Sequence, residues 1–118
     1  MDTLLAWMAD RLLEWNKNNS DLRLKAINGL TPAISSTVLY TEKLKRGEPN
    51  DPVEEDRLYS LWYEASSQVI DYDRELAKRC LDKSEFWLNS KLYNSQKVID
   101  LNISLVGMKA TLEQIKHH

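Results

Sequence analysis

Hydrophobic residues recur every three or four positions along most of the chain, which is the spacing of amphipathic helices. The most regular stripe lies near the end of the sequence, and it comprises Val98, Leu101, Leu105, Met108, Leu112 and Ile115. A similar stripe near the start comprises Leu5, Met8, Leu12 and Trp15. Short polar breaks separate the stripes, as between antiparallel neighbours in a bundle. The pattern predicts an all-α, four- to five-helix bundle, mostly antiparallel, as a single domain over residues 1–118.

Capping residues predict where the helices begin and end. Segment 2–16 forms the first predicted helix, and Ser20 or Asp21 is the predicted N-cap of the second. In "EPNDPVEED", Asp51 suits the N-cap of the third helix and Pro52 its first turn. Asp73 suits the N-cap of the fourth, which covers "RELAKRCLDKSEFWL".

The second predicted helix contains two residues that disfavour helix. Gly29 and Pro32 interrupt a stripe that otherwise continues to Leu44, because glycine is flexible and proline lacks a backbone donor. The helix is therefore predicted to be kinked or split near Gly29-Pro32, and a split would make Thr31 a new N-cap. Gly47 suits the C-terminal end, after the basic "KLKR". Ser95 is predicted to open the last helix.

One stretch resembles a known repeat. "LWYEASSQVIDYDRELAKRCLDKSEFWLNS" is similar to a tetratricopeptide hairpin, with Ala65 and Ala77 at the small positions. No second copy follows at the repeat's spacing of about 34 residues. The resemblance implies a helix–turn–helix here and no particular function.

Composition narrows the class of protein. The 118 residues carry a formal net charge of -2, without the basic excess of most nucleic-acid-binding modules. The longest uncharged run, "AINGLTPAISSTVLYT", is shorter than the ~20 apolar residues of a membrane span. The single Cys80 cannot form an internal disulfide. These features predict a cytoplasmic protein with no membrane partner.

The residues needed for common catalytic sites are missing from the sequence. His117 and His118 are the only histidines, so internal His-based general bases, nucleophile pairs and metal pairs are excluded. Three scattered glycines form no phosphate-binding loop. Cys80 lies on an apolar stripe and is predicted to be buried and inert. We expect no enzyme activity, cofactor, metal or small-molecule substrate.

Two predicted helices carry more apolar surface than one neighbour can cover. In the third, Leu58, Trp62, Ala65 and Val69 form the core face, and Tyr59, Tyr63 and Ile70 form a second row. In the last, Ile99, Ile103 and Val106 lie opposite the main stripe, and Phe86 lies about 100° from Trp87 on the fourth helix. Either the bundle encloses these side chains, or another chain covers them. The predicted interface residues are Tyr59, Tyr63, Ile70, Phe86, Ile99, Ile103 and Val106.

The sequence therefore predicts a protein–protein interaction module of the regulator, adaptor or immunity type. Its expected partner is another protein or a second copy of itself, as a dimer. The alternative is a nucleic-acid-binding bundle that uses the basic face of residues 74–97. The residues of that face are Arg79, Lys83, Lys91, Tyr93 and Lys97.

Overall fold

The described part of the protein is entirely helical. The computed structural model describes residues 19–89 and 95–117, with side chains of the last helix described from Leu105 onward. Within these residues there are four α-helices and no strand. They are α1 (Ser20–Lys45), α2 (Pro52–Val69), α3 (Arg74–Leu88) and α4 (Ser95–Lys116). The predicted all-α class is confirmed, whereas the predicted helix over 2–16 lies outside the described residues.

Helix α1 begins one residue earlier than the predicted cap requires. The side-chain oxygen of Asn19 accepts hydrogen bonds from the backbone N–H groups of Asp21 and Leu22, at 3.0 and 3.1 Å. Asn19 is extended and is therefore the N-cap, while Ser20 is already helical. The predicted capping role of Ser20 or Asp21 is wrong by one or two positions.

Helix α1 is continuous through the two residues that disfavour helix. Gly29 and Pro32 both lie inside it, so the chain does not divide there, and a bend at this point stays a prediction. Pro32 is exposed, and the hydroxyl of Thr31 donates to the carbonyl of Ile27 at 2.7 Å. Gly29 is buried against α2, where a Cβ atom would lie 2.6 Å from the Cβ of Gln68.

The remaining helix ends agree with their predicted caps. Gly47 has a φ of 88°, a left-handed conformation that glycine adopts at low cost. The N–H of Gly47 donates to the carbonyl of Leu44, and the N–H of Glu48 donates to the carbonyl of Lys43. These two hydrogen bonds are those of a Schellman motif. Asp51 caps α2, with Pro52 in its first turn, and Asp73 caps α3. Helices α2 and α3 form the predicted helix–turn–helix.

Helix α2 lies at the centre of the packing among the described helices. It packs against both α1 and α3, while α4 packs against α1. The largest fully buried apolar side chains are Leu30, Leu58, Trp62, Val69, Cys80 and Trp87. Helix α4 packs against this core through four buried side chains, Leu105, Met108, Leu112 and Ile115. Within the described residues, no helix has the length and apolar character needed to cross a membrane.

Candidate interaction surface

The core face of α2 is anchored by a tryptophan. Trp62 is fully buried, and its indole N–H donates to the hydroxyl of Thr37 on α1 at 2.8 Å. That hydroxyl in turn donates to the carbonyl of Ala33 at 2.7 Å. Both polar groups are thus satisfied in a dry environment, where an unpaired one would cost about 1–3 kcal/mol. Trp62 therefore fixes α2 on α1 and is unavailable for contact with another molecule.

The second row of α2 is only partly covered. Tyr59 is half-buried, while Tyr63 is 54% exposed and Ile70 is 49% exposed. The rings of Tyr59 and Tyr63 lie 6.0 Å apart with a tilt of 37°, a favourable aromatic contact. We call these three residues the α2 row. It presents two aromatic rings along one side of α2 and one aliphatic side chain at its C-cap, Ile70.

The predicted interface residues outside α2 have different environments. Val106 on α4 is 69% exposed. Phe86 on α3 is partly buried, and its ring meets that of Trp87 edge-on at 5.3 Å. The side chains of Ile99 and Ile103 lie outside the described residues. Val106 thus adds an exposed apolar group, whereas Phe86 mainly packs on the core.

A polar cluster with no signal in the hydrophobic pattern of the sequence joins α1 to the start of α2. Glu55 is only 6% exposed. Its carboxylate accepts hydrogen bonds from the hydroxyl of Tyr40 and, at 3.0 Å, from the side-chain amide of Asn50. The Tyr40 hydroxyl also accepts from the backbone N–H of Asp51 at 2.8 Å. The cluster locks the α1–α2 loop onto the core.

The environment of Tyr40 suppresses its ionisation. Burial is the main cause that raises the pKa of its hydroxyl well above 10, and the Glu55 carboxylate raises it further. The bond from Asp51 acts in the opposite direction and is weaker than burial. The hydroxyl is therefore a structural donor near neutral pH. An open cleft of about 340 Å³ adjoins it, lined by residues that include Lys43, Pro49 and Glu54.

Two side chains of α3 have strongly shifted pKa values. Burial raises the pKa of the Cys80 thiol to about 12, so the nucleophilic thiolate is scarce at neutral pH. Burial also lowers the pKa of Lys83 to about 8, against the opposing effect of the Asp82 carboxylate. The prediction that Cys80 is buried is confirmed. No group of three or more potential metal ligands occurs among the described residues.

The residues of the predicted nucleic-acid face are brought together only in part. Arg79 is exposed and Lys83 is half-buried on α3. Lys91 and Tyr93 lie outside the described residues, and Lys97 has a described backbone but no described side chain. Desolvation that lowers the pKa of Lys83 makes this side chain a poorer phosphate ligand than a fully exposed lysine. The nucleic-acid alternative stays a prediction.

Comparison with known proteins adds no relative: no protein-family model, curated protein or solved structure matches the chain.

Proposed function

We propose that the protein is a non-enzymatic, cytoplasmic interaction module that forms a dimer through the α2 row. The observation that carries the proposal is the exposure of Tyr63 and Ile70 on the helix that lies at the centre of the described core. The core face of α2 is already buried through Trp62 and its neighbours. The α2 row is therefore apolar surface in addition to that core face.

The α2 row has suitable dimensions and chemistry for a symmetric contact. From Tyr59 to Ile70 it extends about 16 Å along the helix, at about 1.5 Å per residue. Tyrosine combines a large rigid apolar ring with a polar hydroxyl, which favours it in interfaces. In a twofold dimer the same row contributes from both copies. Covering the exposed halves of Tyr63 and Ile70 stabilises the dimer by about 1 kcal/mol per side chain.

The finer arrangement of the bundle belongs to the same proposal. Six residues connect α1 to α2 and four connect α2 to α3, since α1 ends at Lys45 and the next helices begin at Pro52 and Arg74. Connections this short favour antiparallel neighbours. We infer a mostly antiparallel bundle of four to five helices, with a bend in α1 near Pro32.

Sedimentation velocity across a concentration series tests the dimer. The wild-type chain is expected to shift from monomer to dimer as concentration rises. Tyr63→Glu or Ile70→Glu places charge in the contact and should leave a monomer. Because both positions are about half exposed, neither change should unfold the protein, and far-UV circular dichroism checks this point.

Val53→Glu is the matched control. Val53 belongs to the same helix, is 79% exposed and lies about 15 Å along the helix axis from Tyr63. This variant should dimerise like the wild type. A wild-type chain that stays monomeric at every concentration would refute self-association through the α2 row. Equal weakening by Val53→Glu and Tyr63→Glu would refute the choice of surface.

A further inference from the structure

The α2 row covers only part of the surface that a stable dimer needs. Full burial removes roughly 60–120 Å² of apolar surface for an aliphatic side chain and roughly 150–250 Å² for an aromatic one. Tyr63 and Ile70 are each about half exposed, so together they offer roughly 100–200 Å² per copy. Specific interfaces bury at least about 500 Å² on each partner. A second copy must therefore contact surface outside the α2 row.

Two leucines on α3 extend the apolar surface. Leu88 is 62% exposed and Leu81 is 38% exposed. They are seven residues apart and therefore lie on one side of α3. We call Leu81 and Leu88 the α3 row. Each follows a small buried residue by four positions, Ala77 and Ser84 respectively, so the row lies about 40° beyond that edge of the core face.

Both rows lie on the side of their helix that is turned away from α1. On α2, Gln68 lies beside Gly29 of α1, and Tyr63 is about 140° round the helix from Gln68. On α3, the ring of Trp87 meets that of Tyr40 on α1, and the α3 row is about 100–120° round from Trp87. The rows therefore flank the outer side of the contact between α2 and α3.

The two rows also lie at the same level of the hairpin. Tyr63 and Leu81 are each nine residues from Tyr72, which lies in the turn between the helices. With α2 and α3 antiparallel, as proposed above, residues equally distant from the turn lie side by side. We call the α2 row and the α3 row together the hairpin face. It is about 20 Å wide, since each helix has a diameter of about 10 Å, which is twice the width of α2 alone.

We propose that a second copy binds across the whole hairpin face, with the twofold axis crossing α3 at the level of Leu81. This inference rests on the proposed function, because it extends the same contact from α2 to α3. The axis brings each α2 row against its counterpart and each Leu81 against Leu81 of the second copy.

Charge complementarity beside the α3 row favours a second copy in this orientation. Lys78 lies three residues before Leu81 and Glu85 four residues after it, on nearly the same side of α3. Both are exposed, and neither belongs to an ion pair among the described residues. An axis at Leu81 reverses the direction of α3 in the second copy. Lys78 of each copy then faces Glu85 of the other, which gives two ion pairs by symmetry.

Sedimentation velocity of the full-length chain across a concentration series tests the contribution of α3. Leu88→Glu should raise the dimer dissociation constant about tenfold or more, which corresponds to about 1.4 kcal/mol. Leu24→Glu is the matched control, because this leucine is 57% exposed and lies on α1. It should dimerise like the wild type. Far-UV circular dichroism should show that both variants keep their helices.

Charge reversal tests the orientation in the same assay. Lys78→Glu and Glu85→Lys should each raise the dissociation constant about threefold to tenfold at low salt, because like charges then meet. The double variant should recover most of the wild-type affinity, since it exchanges the two charges and restores both pairs. Lys109→Glu, the same change at an exposed lysine of α4, should have little effect.

The outcomes separate this inference from the proposed function. A dimer that Tyr63→Glu disrupts and Leu88→Glu leaves unchanged would overturn the role of α3 and retain the α2 row. A double variant that dimerises no better than the single variants would overturn the axis at Leu81. A wild-type chain that stays monomeric at every concentration would overturn both the inference and the proposed function.

Discussion

Removing the hydroxyl of Tyr40 should destabilise the protein far more than removing that of an exposed tyrosine. Tyr40→Phe keeps the buried ring and its edge contact with Trp87, whose ring centroid is 5.5 Å away. It deletes the donor to Glu55 and the acceptor for the Asp51 N–H. The variant therefore isolates the contribution of one buried oxygen atom.

The expected loss follows from those two hydrogen bonds. A bond to a charged acceptor contributes about 1.5–3 kcal/mol, and one between neutral groups about 0.5–1.5 kcal/mol. Together they give about 2–4.5 kcal/mol, a large part of the ~5–15 kcal/mol by which a domain of this kind is stable. Asp51 is exposed and water can bond to its N–H, which favours the lower half of that range.

Urea unfolding followed by circular dichroism and tryptophan fluorescence measures the effect. Trp62 and Trp87 are both buried and should report loss of the core. The midpoint should fall while the slope with urea concentration stays unchanged. Tyr63→Phe is the matched control and should change the free energy of unfolding by less than about 0.5 kcal/mol. A Tyr40→Phe effect no larger than that of Tyr63→Phe would refute the structural role of the cluster.

The same pair of proteins should differ in their response to alkaline pH. Because the pKa of Tyr40 is raised in the folded state from 10.0, its contribution to stability is complete below about pH 10. That contribution is lost as pH rises from 10 towards the higher folded value, because the unfolded chain releases its proton first. The stability gap between wild type and Tyr40→Phe should therefore narrow above pH 10. A gap that stays constant to pH 11 would contradict the burial of this hydroxyl.

Three further predictions concern the core. Gly29→Ala should destabilise the protein by about 1–2 kcal/mol, since overpacking against Gln68 outweighs the better helix propensity of alanine. At Gly107 nothing lies within 4 Å of an added Cβ, so Gly107→Ala should stabilise the protein by up to about 1 kcal/mol. In thermal melts, Gly29→Ala should therefore lower the melting temperature and Gly107→Ala should raise it. Thr37→Val should cost about 1–3 kcal/mol because the Trp62 N–H loses its acceptor. Thr111→Val removes only an exposed hydrogen bond to the carbonyl of Gly107 and should cost much less in the same melt. Alkylation of Cys80 at pH 8 should be more than about a hundredfold slower in the native protein than in urea, and rapid native labelling would contradict its burial.

Helix ends and large core residues could be predicted from the sequence because their causes are local. Asp51 and Asp73 act on N–H groups within three residues, and Gly47 supplies its own backbone conformation. The start of α1 was misplaced because Asn19, Ser20 and Asp21 are consecutive capping residues. Which of them is the N-cap depends on the backbone angles of each residue, and the local sequence does not determine these angles.

Contacts between helices account for what the sequence did not predict. On α1, the buried face includes the small residues Ala26, Gly29 and Ala33, while Ile27 is only partly buried. Helix α2 approaches α1 closely there, and only small side chains fit between the two helices. A prediction based on the large apolar residues therefore misplaces part of the buried face of α1. Glu55 lies in the first turn of α2, where acidic residues are common at the helix surface, yet it precedes Leu58 by three residues and Trp62 by seven and so lies on the core face. Its partner Tyr40 is fifteen residues away in the sequence and could be recognised only from the fold.

The geometry of α2 also explains why one row of residues serves both folding and the proposed assembly. Glu55, Tyr59 and Tyr63 are spaced four residues apart, and each step of four rotates about 40° around the helix. Exposure therefore increases along these three residues, from the buried Glu55 through the half-buried Tyr59 to the exposed Tyr63. Truncation to alanine should therefore affect folding most at Tyr59 and self-association most at Tyr63. If alanine at both positions reduced monomer stability equally, the rotation of the row would not separate folding from self-association. The α2 row would then be part of the core.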